Sequence, residues 1–219
     1  MALSILPKSV REERIFMVNM HDKITKRIKL LIVFLIGVVI VLLVLNSLPK
    51  QSNNQSGSIL FQSAVGSIAP NFSLQALNGT TVTLSNYRGK NVVLFFSMGA
   101  ECLACLNQIV ALANDSRFGT NNTVVFSIVV SQKSSWAGPL QQMPALKSAN
   151  ILFDTNGTVS KAYDVLNLPS SMDPGVLPGH TFFLINKSGI IRWTLDDPTM
   201  SIDNNKVLAA ISRINSSAS

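Results

Sequence analysis

The chain reads as an α/β domain, a mixed sheet flanked by helices with an N-terminal β-hairpin extension, preceded by a single transmembrane helix. Three observations predict this. Val92–Phe96 is a short unbroken apolar run and Thr123–Val130 a second, largely apolar one, the pattern of strands buried on both faces, and a segment of helical spacing separates them. Leu30–Leu45 is sixteen residues without a charged or polar side chain. Cys102 and Cys105, the only cysteines among 219 residues, stand where the first apolar run turns into the helical pattern.

In chain order, residues 1–29 form a basic tail. Of the formal net charge of +7, residues 1–30 hold Lys8, Arg11, Arg14, Lys23, Lys26, Arg27 and Lys29 against Glu12, Glu13 and Asp22. The high pI is thus largely a property of the tail. No basic stripe with interleaved aromatics follows it, which excludes nucleic acid as a partner. Residues 30–48 have nearly the length that a spanning helix needs, about 20 residues. The basic upstream flank puts the tail in the cytoplasm and the rest outside it, as a single-pass signal anchor. A cleaved signal peptide shares the charged flank and apolar core. Here the upstream segment is long and no small-x-small site follows the run. Residues 49–64 are a polar Ser/Asn/Gln linker, and the domain occupies 65–219. Eight Asn-x-Ser/Thr sequons, from Asn54 to Asn215, all lie after the apolar segment, on the side where glycosylation occurs.

Within the domain, Phe72–Leu74 and Thr81–Leu84 alternate apolar and polar residues around Asn78-Gly79, a β-hairpin signal. Tyr87–Lys90 turns into the buried run Asn91–Phe96. Leu106, Ile109, Val110 and Ala113 then have helical spacing. Ser131–Ala149 reads as a loop with at most one short helix, given Gly138-Pro139 and Pro144. Ile151–Asp154 is a short strand, and Val159–Leu166 has helical spacing. Thr181–Asn186 and Ile190–Leu195 form a hairpin about Lys187-Ser188-Gly189. Lys206–Ile214 is an amphipathic last helix.

Two thiols three residues apart on the first turn of a helix face the same way and can close a disulfide. The unpaired N–H groups and the positive end of the helix dipole stabilise the thiolate of the first. A redox dithiol is the reading this favours. A structural disulfide would close so short a loop that it adds little chain-entropy stabilisation. A zinc site would have to complete four ligands from His180 and scattered acids.

A resemblance adds to this. Val65-Gly-Ser-Ile-Ala-Pro-Asn-Phe-Ser-Leu and Leu84-Ser-Asn-Tyr-Arg-Gly-Lys-Asn-Val-Val-Leu-Phe-Phe resemble the opening of the redoxin group of the thioredoxin superfamily. That group holds the alkyl hydroperoxide reductase/thiol-specific antioxidant proteins and the membrane-tethered TlpA-like oxidoreductases. Thr181-Phe-Phe-Leu-Ile-Asn-Lys-Ser-Gly-Ile-Ile-Arg-Trp is similar to its closing hairpin. The resemblance implies a thioredoxin-like fold and a thiol-disulfide oxidoreductase without a cofactor. Its partners would be protein thiols and disulfides of extracytoplasmic clients. Cys102 would be the exposed attacking thiol and Cys105 the buried resolving one.

Three departures from the group's pattern bear on the site. Glu101 stands before Cys102 where an aromatic is usual; it would oppose the thiolate if it faced the sulfur, or pass a proton to Cys105. Leu103-Ala104 lie between the cysteines in place of a pair with proline. His180 stands before the Thr181 strand where a cis-proline is usual. Gly179-His180-Thr181 is similar to the arrangement in SCO copper chaperones, which implies an alternative copper site of Cys102, Cys105 and His180, with Met98 as a further soft donor. A peroxiredoxin-like antioxidant is the third expectation. Gly99 occupies the position three before Cys102 where that chemistry wants Thr or Ser.

Overall fold

A buried central strand sets the architecture. In this computed structural model the described residues are 26, 27, 29, 31, 32, 34, 35 and 37, all helical, and the continuous stretch 58–216. The chain divides into two units, 1–53 and 54–219. Among the described residues no helix is long and apolar enough to cross a membrane. Most of the predicted tail and span, and the linker as far as residue 57, lie outside the described residues.

The second unit is built on a seven-stranded sheet. Its strands are β1 (Ser73–Ala76), β2 (Thr81–Thr83), β3 (Asn91–Ser97), β4 (Thr123–Val129), β5 (Ile151–Phe153), β6 (Thr181–Ile185) and β7 (Ile191–Asp196). They are ordered β2-β1-β5-β4-β3-β6-β7. β3 runs parallel to β4 and antiparallel to β6, and every one of its residues is buried. Because side chains alternate across a strand, Val92, Leu94 and Phe96 enter one core, and Val93 and Phe95 enter the other. The described α-helices of this unit are α1 (Leu103–Asn114), α2 (Arg117–Thr120), α3 (Ala137–Gln142), α4 (Thr158–Ala162) and α5 (Asn204–Ser216). α4 with Tyr163 covers the first core. α1 and α5 cover the second through Leu106, Ile109, Leu112, Val207, Ala210 and Ile211. This is a thioredoxin-like mixed sheet with helices on both faces.

The expectations depart from the structure in three places. Residues 131–149 are almost wholly helical turns, with 3-10 segments Lys133–Trp136 and Pro144–Ser148 flanking α3. The fully buried Trp136 anchors them, packing on Phe153 with ring centroids 6.1 Å apart. The helix expected over Val159–Leu166 stops at Ala162, and Asp164 adopts a left-handed φ of 55°, which ends helical propagation. The packed domain begins before Val65: the Ile59 N–H donates to Ala162 O at 2.9 Å, and Phe61 packs edge-on against Phe183 at 5.6 Å. The last residues of the predicted linker thus belong to the fold.

Two carboxylates, Asp115 at the end of α1 and Asp197 in the turn after β7, give the fold an acid-sensitive margin. The Arg117 guanidinium, bonded to Asp115 at 2.7 and 2.8 Å, brings the Asp115 carboxyl down to about 2 from 3.8. Burial alone would raise Asp197, but hydrogen bonds from Thr199 and Ser201 outweigh it and hold that carboxyl well below its usual range. A depressed carboxyl stabilises the fold above its unfolded pKa, and that contribution fades as pH falls through the folded one. Stability in urea is therefore expected to stay level down to about pH 4 and to fall progressively toward pH 2. Asp197→Asn should shallow the slope. An unchanged slope in that variant would refute the assignment.

Candidate active site

β3 delivers the chain to the site. After Ser97 come Met98, Gly99, Ala100 and Glu101, and Cys102 is the N-cap of α1 with extended backbone (φ −109°, ψ 100°). Cys102 is joined to Cys105 in a disulfide, their Cα atoms 5.2 Å apart. Cys102 Sγ accepts the Cys105 N–H at 3.1 Å, so one of the unpaired donors of the first turn points at this sulfur. Cys102 is 9% exposed and Cys105 1%. Cys102, expected to be exposed, is instead buried, although it is the more accessible sulfur of the pair. Leu103, between the cysteines, is 67% exposed. Glu101 is exposed in the turn before the helix.

The loop that presents Cys102 is held from β4. Gly99 has φ +101°, and a side chain there would overlap the Ser131 hydroxyl and lie 3.0 Å from Val129 Cβ. Ser131 Oγ therefore fills the space that a residue-99 side chain would take. It accepts the Ala100 N–H at 3.3 Å and the Trp136 Nε1–H at 2.9 Å. Nothing in the sequence pairs Ser131 with Gly99, because they come from successive strands.

His180 lies at the same end of the sheet. Thr181 pairs with Phe96 across β3 and β6, which places His180 level with Ser97. Its ring is fully buried, packed on Phe95 at 4.7 Å and Phe182 at 5.5 Å. Its backbone is fixed by a clamp from the preceding loop. The His180 N–H donates to Ser170 Oγ at 2.8 Å, and Ser170 Oγ donates to Asp196 Oδ1, which also accepts Thr181 Oγ1–H at 2.9 Å. Gly179 is required beside it, since any Cβ there would strike Ser170. Burial pushes the imidazole pKa down, and Asp203 and Asp197 pull against that shift.

The structure brings Cys102 and Cys105 into one covalent unit and leaves Glu101 on the surface. Among the described residues no group of three His, Cys, Asp or Glu is gathered that could hold a metal ion. Cys102 and Cys105, two of the three residues of the copper alternative, are bonded to each other, and His180 is buried at the same end of the sheet. Gln108 and Asp203 escaped the sequence reading. Gln108, one turn beyond Cys105, is fully buried and accepts the Asp203 N–H at 2.8 Å through Oε1, while its Nε2–H donates to Asn204 Oδ1 at 2.9 Å. α1 and α5 are locked together through that side chain.

A mixed sheet with a dithiol at the head of its first long helix defines a redoxin of the thioredoxin superfamily. The chain belongs to the AhpC/TSA family, whose profile matches residues 65–194. Peroxiredoxin Q, chloroplastic, of Triticum aestivum is 27% identical over 146 residues, 66% of this chain and 64% of that protein. Thiol-disulfide oxidoreductase ResA of Bacillus subtilis is 31% identical over 125 residues, 57% of this chain and 63% of that one. The chain therefore spans a little under two thirds of either relative. In the crystal structure of Plasmodium vivax 2-Cys peroxiredoxin, reduced, 99% of that chain matches 71% of this one with a TM-score of 0.61 and 22% identity, which shows the shared fold.

Proposed function

We propose that the protein is a membrane-tethered, extracytoplasmic thiol-disulfide oxidoreductase that exchanges disulfides with client proteins through Cys102 and Cys105. The observation that carries this is the closed Cys102–Cys105 disulfide at the head of α1, with the Cys105 N–H aimed at Cys102 Sγ. That donor and the helix dipole favour a thiolate on Cys102 once the bond is reduced. Cys102, the more open of the pair, attacks the client, and Cys105 beneath it resolves the mixed disulfide. The tether rests on the apolar run Leu30–Leu45 and the basic flank before it. No cofactor enters this chemistry.

Cys105→Ser removes the resolving thiol and should leave mixed disulfides standing on Cys102. On non-reducing gels they are expected as adducts that disappear in the Cys102→Ser/Cys105→Ser double variant. Recovering none from cells under oxidative load would count against the reading. A membrane-impermeant maleimide applied to reduced intact cells should label Cys102; protection until lysis would refute the topology.

A thiol peroxidase is the second reading. It is favoured by the peroxiredoxin relatives and by the Ser131 hydroxyl that fills the space beside Gly99. On this reading one equivalent of hydrogen peroxide consumes the two thiols far faster than it consumes free cysteine, and Ser131→Ala slows the reaction by about 10²-fold. Thiol loss at the rate of free cysteine would dismiss it.

A further inference from the structure

Among the described residues, the buried side-chain polar atoms without a hydrogen-bond partner belong to three residues: Ser97 Oγ, the ring nitrogens of His180 and Asp203 Oδ2, whose companion Oδ1 is paired with Lys206. Each such atom costs about 1–3 kcal/mol, so a cluster of them calls for a reason. These three come from distant parts of the sequence and meet under one helix. Ser97 ends β3, and His180 lies level with it across the β3–β6 pairing. Asp203 is held to α1 by the bond from its N–H to Gln108, one turn from Cys105. The ring of His180 packs on Phe95, in the same core as Leu106 and Ile109 of α1. The set therefore lies on the inner side of the helix that carries Cys105, the less exposed of the two cysteines.

The other charged groups facing this set are already engaged. Asp196 accepts from the Ser170 N–H, Ser170 Oγ and Thr181 Oγ1. Asp197 accepts from the N–H and hydroxyl of Thr199 and of Ser201. Lys206 Nζ lies 2.6 Å from Asp203 Oδ1 as an ion pair at the surface end of that carboxylate. Glu101, on the outer turn, is exposed. The His180 imidazole, which faces the Ser201 backbone and is backed by the buried Asp203 carboxylate, is the remaining group that can accept a proton on the inner side of α1.

We propose that His180, backed by Asp203, takes up the thiol proton of Cys105 when the dithiol closes, an assignment that rests on the oxidoreductase reading above. In the mixed disulfide Cys102 Sγ is bonded to a client sulfur. Cys105 gives its proton to His180, its sulfur forms the bond to Cys102 Sγ, and the bond from Cys102 to the client breaks. The electron pair leaves with the client sulfur, which takes a proton from water. The dithiol ends oxidised and the client disulfide reduced. Asp203 stabilises the imidazolium until its proton returns to solvent. The unprotonated nitrogen of the neutral imidazole is the acceptor, and the other nitrogen keeps its own proton throughout.

The test uses the reduced full chain and the aromatic disulfide 5,5′-dithiobis(2-nitrobenzoate), which reports two thiolate releases. The first is attack by Cys102 and the second is resolution by Cys105. His180→Phe keeps a ring against Phe95 and Phe182. It is expected to slow the second release by about 10²-fold at pH 7, while the first reports that the fold and Cys102 are intact. The second rate in that variant should rise with pH up to the titration of the thiol, where the parent has already levelled off. Asp203→Asn should slow the second release in the same direction and by less. Equal second-release rates and pH profiles in parent and His180→Phe would overturn the proposal, as would a parallel fall of both releases. A parent that gives no first release refutes the oxidoreductase reading itself, which separates the two failures.

Discussion

Cys102→Ser is expected to reduce thiolate release from a model disulfide to the level of the variant lacking both cysteines, a loss of at least about 10⁴-fold, the size of effect that removal of a nucleophile has in other enzymes. Serine keeps the N-cap, because its hydroxyl can accept the Cys105 N–H as Cys102 Sγ does at 3.1 Å. The fold should therefore be retained, and stability in urea should change only by the loss of the short disulfide loop. What disappears is an ionisable sulfur at the open end of the pair. Cys105 cannot replace it. It is 1% exposed, against 9% for Cys102, and it lies under the first turn of α1. Cys105→Ser is the contrasting variant: it should retain the first release and lose the second. The measurement is stopped-flow absorbance with the three variants and the parent, all reduced beforehand. Substantial release from Cys102→Ser would mean that Cys105 is the attacking thiol, and the assigned roles would have to be exchanged.

What the sequence made legible was whatever has a period or a reactive residue type. The apolar runs within β3 and β4 appear as buried strands because each of their faces meets a core. The hairpin around Asn78-Gly79 has a turn signal, and β1 and β2 pair across it with Leu74 opposite Val82. Residues 131–149 lacked any period. Their helical turns are too short to show one and depend on Trp136 being drawn into the core. The end of α4 was missed because a left-handed Asp164 stops it, with no glycine to announce the stop. At the site, Cys102 and Cys105 were visible as a spaced pair, and His180 as a histidine before an apolar strand. Their surroundings were not visible. Ser131, Gln108 and Asp203 are ordinary polar residues, and only the register of β3, β4 and β6 and the docking of α5 on α1 bring them to the dithiol.

Tyr163→Ala is expected to cost the fold about 3–5 kcal/mol, the range for deleting a large aromatic from a packed core. The side chain is fully buried between the sheet and α4, with ring centroids 5.0 Å from Phe183, 5.1 Å from Phe96 and 6.4 Å from Phe72. Its hydroxyl donates to Pro70 O at 2.8 Å, tying the segment before β1 to the end of α4. Burial raises its pKa well above the usual phenol value, so the hydroxyl is protonated and able to donate at neutral pH. Tyr163→Phe separates the two contributions. It keeps the ring contacts and leaves the Pro70 carbonyl without its donor, for about 1–2 kcal/mol. In thermal unfolding the alanine variant should melt roughly 10–15 °C below the parent and the phenylalanine variant a few degrees below it, at about 2–4 °C per kcal/mol for a domain of this size. Both variants, kept below their melting range, should retain the parent's first thiolate release, because α4 and Tyr163 cover the face of the sheet opposite α1. Equal losses for the two variants would show that the hydroxyl bond, and not the aromatic packing, holds this face together.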